Sequence, residues 1–236
     1  MLLELVARLV VVVATATLVG LFVIVGLDRL TSRMDVWWAR LVSVAPEVTV
    51  LGLVLLTNNL ARQFGPEVSW IIGIEVTDAI YQLEGGLVIW IQSFATPAMT
   101  TFFSRIYVYG YVFLLVFPLV AYLALDDMRP LRTLILAYAF NYVIGLVCYL
   151  VIIAYGPRNL LPDLVEPLLY TTFPEYQELT RQVNRNTNVF PSLHASLSVT
   201  VAAVSYRTRT SYPRWFPVAT LLAASVIVST MYLGIH

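Results

Sequence analysis

The sequence predicts an all-α polytopic membrane protein with about six spans. Three observations carry this prediction: 59% of the 236 residues are hydrophobic, mean hydropathy is +0.81, and several apolar runs are long. A helix needs ~20 apolar residues to cross a bilayer, and these runs approach that length. Only 12% of the residues are charged, against ~25% in typical soluble domains. The 14 arginines balance 14 acids, and there is no lysine, so the charge indicates no nucleic-acid partner.

The apolar runs predict spans in order along the chain, at residues 5–27, 41–60, 107–125, 133–155, 193–206 and 216–235. The first run exceeds the ~7–15 residues of a signal-peptide core, which favours a retained anchor. Pro46 and Glu47 interrupt the second run, so it either crosses or lies partly buried. Residues 62–70 are predicted as a loop. Tyr107, Tyr109 and Tyr111 begin the third run and are candidates for the aromatic belt at the membrane surface.

Residues 71–94 mix apolar side chains with acids. The run contains Glu75, Asp78 and Glu84 and breaks at Gly85-Gly86. An acid such as Asp in the middle of a lipid-facing span costs ~2.5–3.5 kcal/mol. The mixture therefore favours an amphipathic helix that lies along the membrane interface.

Arginine placement predicts the orientation of the spans. The short turns at 126–132 and 207–214 contain five of the arginines, and short arginine-rich loops face the cytoplasm. The long loop at 158–191 and both histidines then fall on the extracytoplasmic face.

The two histidines, His194 and His236, each lie at one end of an apolar run. Imidazoles with a pKa near ~6.5 serve as nucleophile and acid in phosphoryl transfer. Each is also explained as a polar residue that ends a span. Ser192 before His194 suits a helix start, and helix starts attract phosphate. Guanidinium groups bind phosphate through two N–H donors, and Arg158 and Arg185 are the candidates on that face; Arg181 is a weaker one.

Two strings carry a family resemblance: Phe190-Pro191-Ser192-Leu193-His194-Ala195 and Ser229-Thr230-Met231-Tyr232-Leu233-Gly234-Ile235-His236. They resemble the second and third motifs of the type 2 phosphatidic acid phosphatase (PAP2) superfamily, and are most similar to its inositolphosphotransferase branch, which includes inositol phosphorylceramide synthase. The resemblance implies that His236 becomes phosphohistidine, that His194 protonates the leaving group, and that Ser192 hydrogen-bonds the phosphate. It implies a membrane lipid phosphate or phospholipid as substrate and neither metal nor cofactor. Residues 71–236 would form the catalytic domain, and residues 1–70 would precede it.

The chain departs from the family pattern at three points. The first motif expects a lysine, which is missing, so Arg158 is a candidate by position alone. Thr230 stands where the third motif often has arginine. The family also expects an aspartate four residues after His236 and one more span, so the sequence suggests a C-terminally truncated chain with little activity of its own.

Two other functions stay open at this point. A transporter or anion-binding membrane protein could use the same helix start and arginines. An inactive member of the family would keep the spans and lose catalysis. Several ionisable residues deep within the spans would favour the transporter, and the sequence has few.

Overall fold

The structure, a computed structural model, describes residues 2–31, 36–177 and 189–235, except for the side chains of residues 62–64 and 66. Nearly all regular structure in this part of the chain is helical. The helices are α1 Leu2–Gly20, α2 Leu27–Thr31, α3 Trp37–Ser43, α4 Ala45–Ile72, α5 Thr77–Glu84, α6 Leu87–Gln92, α7 Pro97–Arg105, α8 Tyr111–Leu123, α9 Arg129–Val151, α10 Pro157–Leu160, α11 Leu168–Thr172, α12 Leu193–Arg207 and α13 Trp215–Tyr232. Single π-helical turns, Leu21–Val25 and Ile106–Gly110, extend α1 and join α7 to α8.

Within the described residues, four helical segments are long and apolar enough to cross a membrane: Leu2–Val25, Pro97–Leu123, Arg129–Val151 and Trp215–Tyr232. The helices α3 and α4 form a fifth candidate, bent by 54° where they meet. The 15-residue helix α12 is shorter, and it packs against α8, α9 and α13 within the same bundle. The prediction of an all-α membrane bundle is confirmed.

The core of the bundle lies where α1, α8, α12 and α13 meet. Phe117 and Trp215 are fully buried there, with ring centroids 4.5 Å apart. Gly20 of α1 lies so close to Phe117 that an added Cβ atom would come within 2.7 Å of the ring. The first helix therefore packs directly into the core.

The predicted loop at residues 62–70 is wrong, because α4 continues through it to Ile72. This stretch contains Gly65 and Pro66, two residue types that disfavour a helix interior. In the fold, α4 packs along α9, and a Cβ atom at Gly65 would lie 3.5 Å from Leu150. Tertiary packing of this kind routinely overrides local propensity.

The segment at 71–94 is broken rather than one continuous helix. It contains the end of α4, the two-residue strand β1 (Ile74–Glu75) and the short helices α5 and α6. β1 pairs in parallel with β2 (Ile152–Ile153), directly after α9. Gly85 has φ +56, a left-handed backbone that ends α5 and favours glycine. The location of this segment at the membrane interface stays a prediction.

Arginine side chains join the helix ends at the other end of the bundle, away from the β1–β2 pair. Each donates a hydrogen bond to a backbone carbonyl of another segment: Arg29 to Ser211, Arg40 to Leu123, Arg132 to Ser43 and Arg214 to Val23. We call this end of the bundle the arginine-rich end. The motif residues around His194 and Ile235 lie at the opposite end.

Candidate active site

The start of α12 is held against the end of α9. Ser192 is the N-cap residue of α12, and its hydroxyl accepts a hydrogen bond from the N–H of Ala195 at 3.4 Å. The hydroxyl of Tyr149 donates to the carbonyl oxygen of Pro191 at 3.0 Å. The predicted helix start at Ser192 is confirmed, and its backbone is fixed by a side chain from α9.

Two tyrosines pack against the ring of His194. The Tyr107 ring stacks on the imidazole with centroids 4.5 Å apart and planes 18° apart, and the Tyr111 ring lies 4.2 Å away at 36°. Each pair of this kind contributes roughly 0.5–1.5 kcal/mol beyond simple burial. Together they fix the plane of the imidazole and so the directions of its two nitrogens.

These contacts show that the prediction of Tyr107 in an aromatic belt at the membrane surface is wrong. The span begins at Pro97, ten residues before Tyr107, after an N-cap at Thr96 whose hydroxyl accepts from Met99 N–H. Tyr107 is therefore inside the bundle and only 3% exposed. Sequence reasoning missed its contact with His194, although the spacing of four residues between Tyr107 and Tyr111 places both rings on one helix face.

Arg158 lies in the helical turn α10, directly after the end of α9 and β2. Its side chain is half-buried, and the guanidinium carbon is 5.1 Å from the centre of the Tyr170 ring, a cation–π contact. Tyr170, in the short helix α11, thus holds the arginine near the end of the bundle that contains His194.

Gly156 brings three chain segments together at this place. An added Cβ atom would lie 3.1 Å from the carbonyl oxygen of Ile235 and 3.2 Å from a methyl group of Val189. The turn that carries Arg158 therefore meets both the segment before Ser192 and the residue before His236. Only a hydrogen atom fits comfortably in this contact, and no sequence pattern predicts it.

The end of α13 is a regular Schellman motif. Ile235 N–H bonds to Thr230 O at 3.1 Å, and Gly234 N–H bonds to Met231 O at 3.0 Å. Gly234 has φ +67, as this motif requires. Ile235 is only 2% exposed, so the backbone is fixed up to the residue before His236.

The hydroxyl of Tyr109 and the hydroxyl of Tyr176 are 3.1 Å apart, and this contact joins α7–α8 to the loop before α12. Burial raises the pKa of the Tyr176 phenol well above its ordinary value, and the hydrogen bond to Tyr109 adds to this. The phenol therefore stays neutral around physiological pH and acts as a hydrogen-bonding side chain.

His236, Arg181 and Arg185 lie outside the described residues. The structure brings Ser192, His194 and the turn of Arg158 to the same end of the bundle as Ile235. The distance between the two histidines and the catalytic roles of all five predicted site residues stay predictions. The same holds for the expectation that no metal or cofactor takes part; among the described residues, no three His, Cys, Asp or Glu side chains are grouped as metal ligands.

Fold and site together define a multi-pass membrane protein with a histidine, a helix N-terminus and an arginine gathered at one end. The family model described as the PAP2 superfamily matches residues 79–236, which is more than half of the chain. The chain therefore belongs to the PAP2 superfamily. Searches of curated proteins and of solved structures found no match to the chain. The family match begins within α5, and the domain division at residue 71 stays a prediction.

Proposed function

We propose that this protein is an integral-membrane lipid phosphotransferase or phosphatase that works through a phosphohistidine at His236. The observation that carries the proposal is the contact of Gly156 with Ile235 and Val189. It supports a single site that contains Arg158, the α12 start and the chain next to His236. PAP2 membership supports phosphatase or phosphotransferase chemistry at this site.

The proposed reaction has two displacement steps at phosphorus. In the first, a His236 nitrogen uses its lone pair to form a P–N bond, the P–O bond to the lipid breaks, and the leaving oxygen takes a proton from His194. In the second, water or an alcohol gives its proton to His194 as its oxygen attacks phosphorus and the P–N bond breaks. With phosphatidic acid, water yields phosphate and an alcohol yields a new phosphoester. With phosphatidylinositol, the inositol stays on phosphorus through both steps, so water yields inositol phosphate and an alcohol yields a new phosphodiester.

The remaining site residues bind the phosphoryl group in this proposal. Ser192 and the first N–H groups of α12 hydrogen-bond its oxygens, because a helix N-terminus favours an anion. Arg158 and Arg185 supply guanidinium donors, which suit the charge spread over the equatorial oxygens. Tyr107 and Tyr111 hold the His194 ring at the angle needed for proton transfer.

We place the site at the extracytoplasmic face. Support comes from the arginine-rich end, whose short loops at 126–132 and 207–214 are the kind that stay in the cytoplasm. The site is at the opposite end of the bundle. A lipid of the outer leaflet is therefore the proposed substrate, and resemblance to the inositolphosphotransferase branch favours transfer to an alcohol.

The experiment uses purified protein in detergent micelles with phosphatidic acid or phosphatidylinositol that carries radioactive phosphorus. After acid-free quenching, we expect label on the protein, mapped to His236 by mass spectrometry. His236→Ala should abolish the label, and His194→Ala should slow its formation. Parallel reactions with and without ceramide separate the two activities: a transferase forms a labelled ceramide product, and a phosphatase releases the label to water whether or not ceramide is present. Full turnover in His236→Ala overturns the mechanism, and tight phosphate binding without turnover in the unmodified protein favours an anion-binding function.

A further inference from the structure

Gln92, the last residue of α6, bonds to two distant segments through its side-chain amide. Its Nε2 donates to Glu166 O at 2.8 Å and to Tyr232 O at 3.0 Å, and its Oε1 accepts from Glu166 N–H at 3.0 Å. Both ends of the amide are therefore used. The contacts join α6 to the loop after α10 and to the last turn of α13.

The Tyr232 carbonyl is one of the last four of its helix, which have no partner within the helix. Gln92 supplies a partner from outside. Leu233 and Gly234 follow Tyr232 and complete the turn that ends α13. An added Cβ atom at Gly234 would lie 2.7 Å from Glu166 O and 3.1 Å from Gln92 Nε2. The end of α13 thus rests directly on the Gln92–Glu166 pair.

On the side that faces away from the bundle, the Gln92–Glu166 pair is held by hydrogen bonds rather than by packing. Gln92 and Glu166 border an open cavity of about 300 Å³, also lined by Ile89, Leu164 and Leu168. Because this space is open, no packed layer of side chains from the described residues supports the Gln92–Glu166 pair from that side. On the inner side, the Tyr232 hydroxyl accepts from Thr96 N–H at 3.3 Å.

We propose that Gln92 is a positioning residue for His236, which it orients by fixing the main chain from Tyr232 to Ile235. The proposal rests on the proposed function, because it requires His236 to be the nucleophile. These bonds fix the backbone that leads directly into His236. Misplacement by ~1 Å costs about 100-fold in rate, so the bonds to Gln92 affect catalysis without contacting the substrate.

The variant Gln92→Glu tests this most sharply, because it keeps the shape and removes both donors. Gln92→Met removes all three hydrogen bonds without adding charge, and serves if the carboxylate prevents folding. Ser93→Ala is the matched control: it removes the bond from Ser93 Oγ to Trp90 O within the same helix. The readouts are kcat, KM for labelled phosphatidic acid in micelles, and the rate of phosphohistidine formation per site, with sites counted by vanadate binding.

For Gln92→Glu and Gln92→Met we expect kcat and the rate of phosphohistidine formation to fall about 10- to 100-fold, with KM within about twofold of the unmodified protein. Ser93→Ala should match the unmodified protein. The ratio of Gln92→Glu activity to unmodified activity should also rise as the pH falls toward ~4.3, because a protonated carboxyl regains one donor. A role in folding alone would lower the number of sites and leave the rate per site unchanged.

A normal rate per site in both Gln92 variants, or a change confined to KM, overturns the inference. His236→Ala is measured in parallel to separate the two claims. If His236→Ala is inactive while the Gln92 variants are normal, only the positioning inference fails. If His236→Ala retains full activity, the nucleophile assignment fails and the inference fails with it.

Discussion

Replacing Gly156 with alanine perturbs the contact on which the proposed site depends. Gly156 has φ −70 and ψ 157, an extended backbone that alanine adopts freely, so the effect is purely steric. The new Cβ would be 3.1 Å from Ile235 O, where ordinary contact begins at 3.4 Å, so one segment must move by about 0.3 Å. If ~1 Å of misplacement costs about 100-fold, 0.3 Å costs about fourfold.

We expect Gly156→Ala to lower kcat about 4- to 10-fold and the free energy of unfolding by about 1–3 kcal/mol, as for other overpacked contacts. The assay is release of labelled phosphate from phosphatidic acid in micelles, with thermal unfolding measured on the same sample. Gly52→Ala is the control, since an added Cβ at Gly52 meets nothing within 4 Å. It should keep full activity.

A second substitution tests whether the contact with Ile235 or the contact with Val189 lowers kcat in Gly156→Ala. Val189→Ala removes the other close contact of the new Cβ, at 3.2 Å, and leaves the contact with Ile235 O. The double variant should remain impaired if displacement of Ile235 is the cause. Unchanged kcat in Gly156→Ala, or full recovery in the double variant, would refute the reasoning that joins this turn to His236.

Substitutions at three further positions test the site and the bundle. Tyr107→Leu should lower kcat about fivefold, since losing ~1 kcal/mol of ring stacking frees the His194 imidazole, whereas Tyr107→Phe should keep near-normal kcat; equal rates for the two would remove the ring from the mechanism. Arg158→Lys should lower kcat/KM at least about tenfold because the paired donors of guanidinium are lost, and normal kcat/KM would transfer the role to another cation. Gly20→Ala should lower the unfolding temperature through its clash with Phe117, at unchanged kcat per folded protein, and a normal unfolding temperature would contradict the packing of α1 in the core.

The sequence predicts those features that depend on interactions between residues close together in the chain. Hydropathy predicted most of the candidate spans, although one begins at Pro97 rather than at Tyr107. Ser192 predicted the first turn of α12, because a helix cap acts within a few residues. Arg158 was chosen only as a cation directly after a span. Its turn does lie against Ile235, since the end of α9 and the end of α13 meet at the same end of the bundle.

Contacts between distant segments were not predicted. Tyr107 was read as a surface aromatic because sequence alone cannot tell a ring that faces lipid from one that faces another helix. Gln92 lies 74 residues from Glu166 and 140 from Tyr232, and no spacing rule connects them. The continuation of α4 past Gly65 depends on α9, which follows it by many residues.

Different kinds of side chain fix the backbone at the two ends of the bundle, and this difference is relevant to phosphate binding in the proposed reaction. At the arginine-rich end, guanidinium groups bond to backbone carbonyls and fix the loops. At the site end, neutral side chains bond to backbone carbonyls: Gln92 to Tyr232 near the end of α13, and Tyr149 to Pro191 before α12. The donors of Gln92 and Tyr149 bond to backbone carbonyls rather than to a ligand. The guanidinium carbon of Arg158 lies 5.1 Å from the centre of the Tyr170 ring. A guanidinium has five N–H donors, so this contact is compatible with binding an anionic head group.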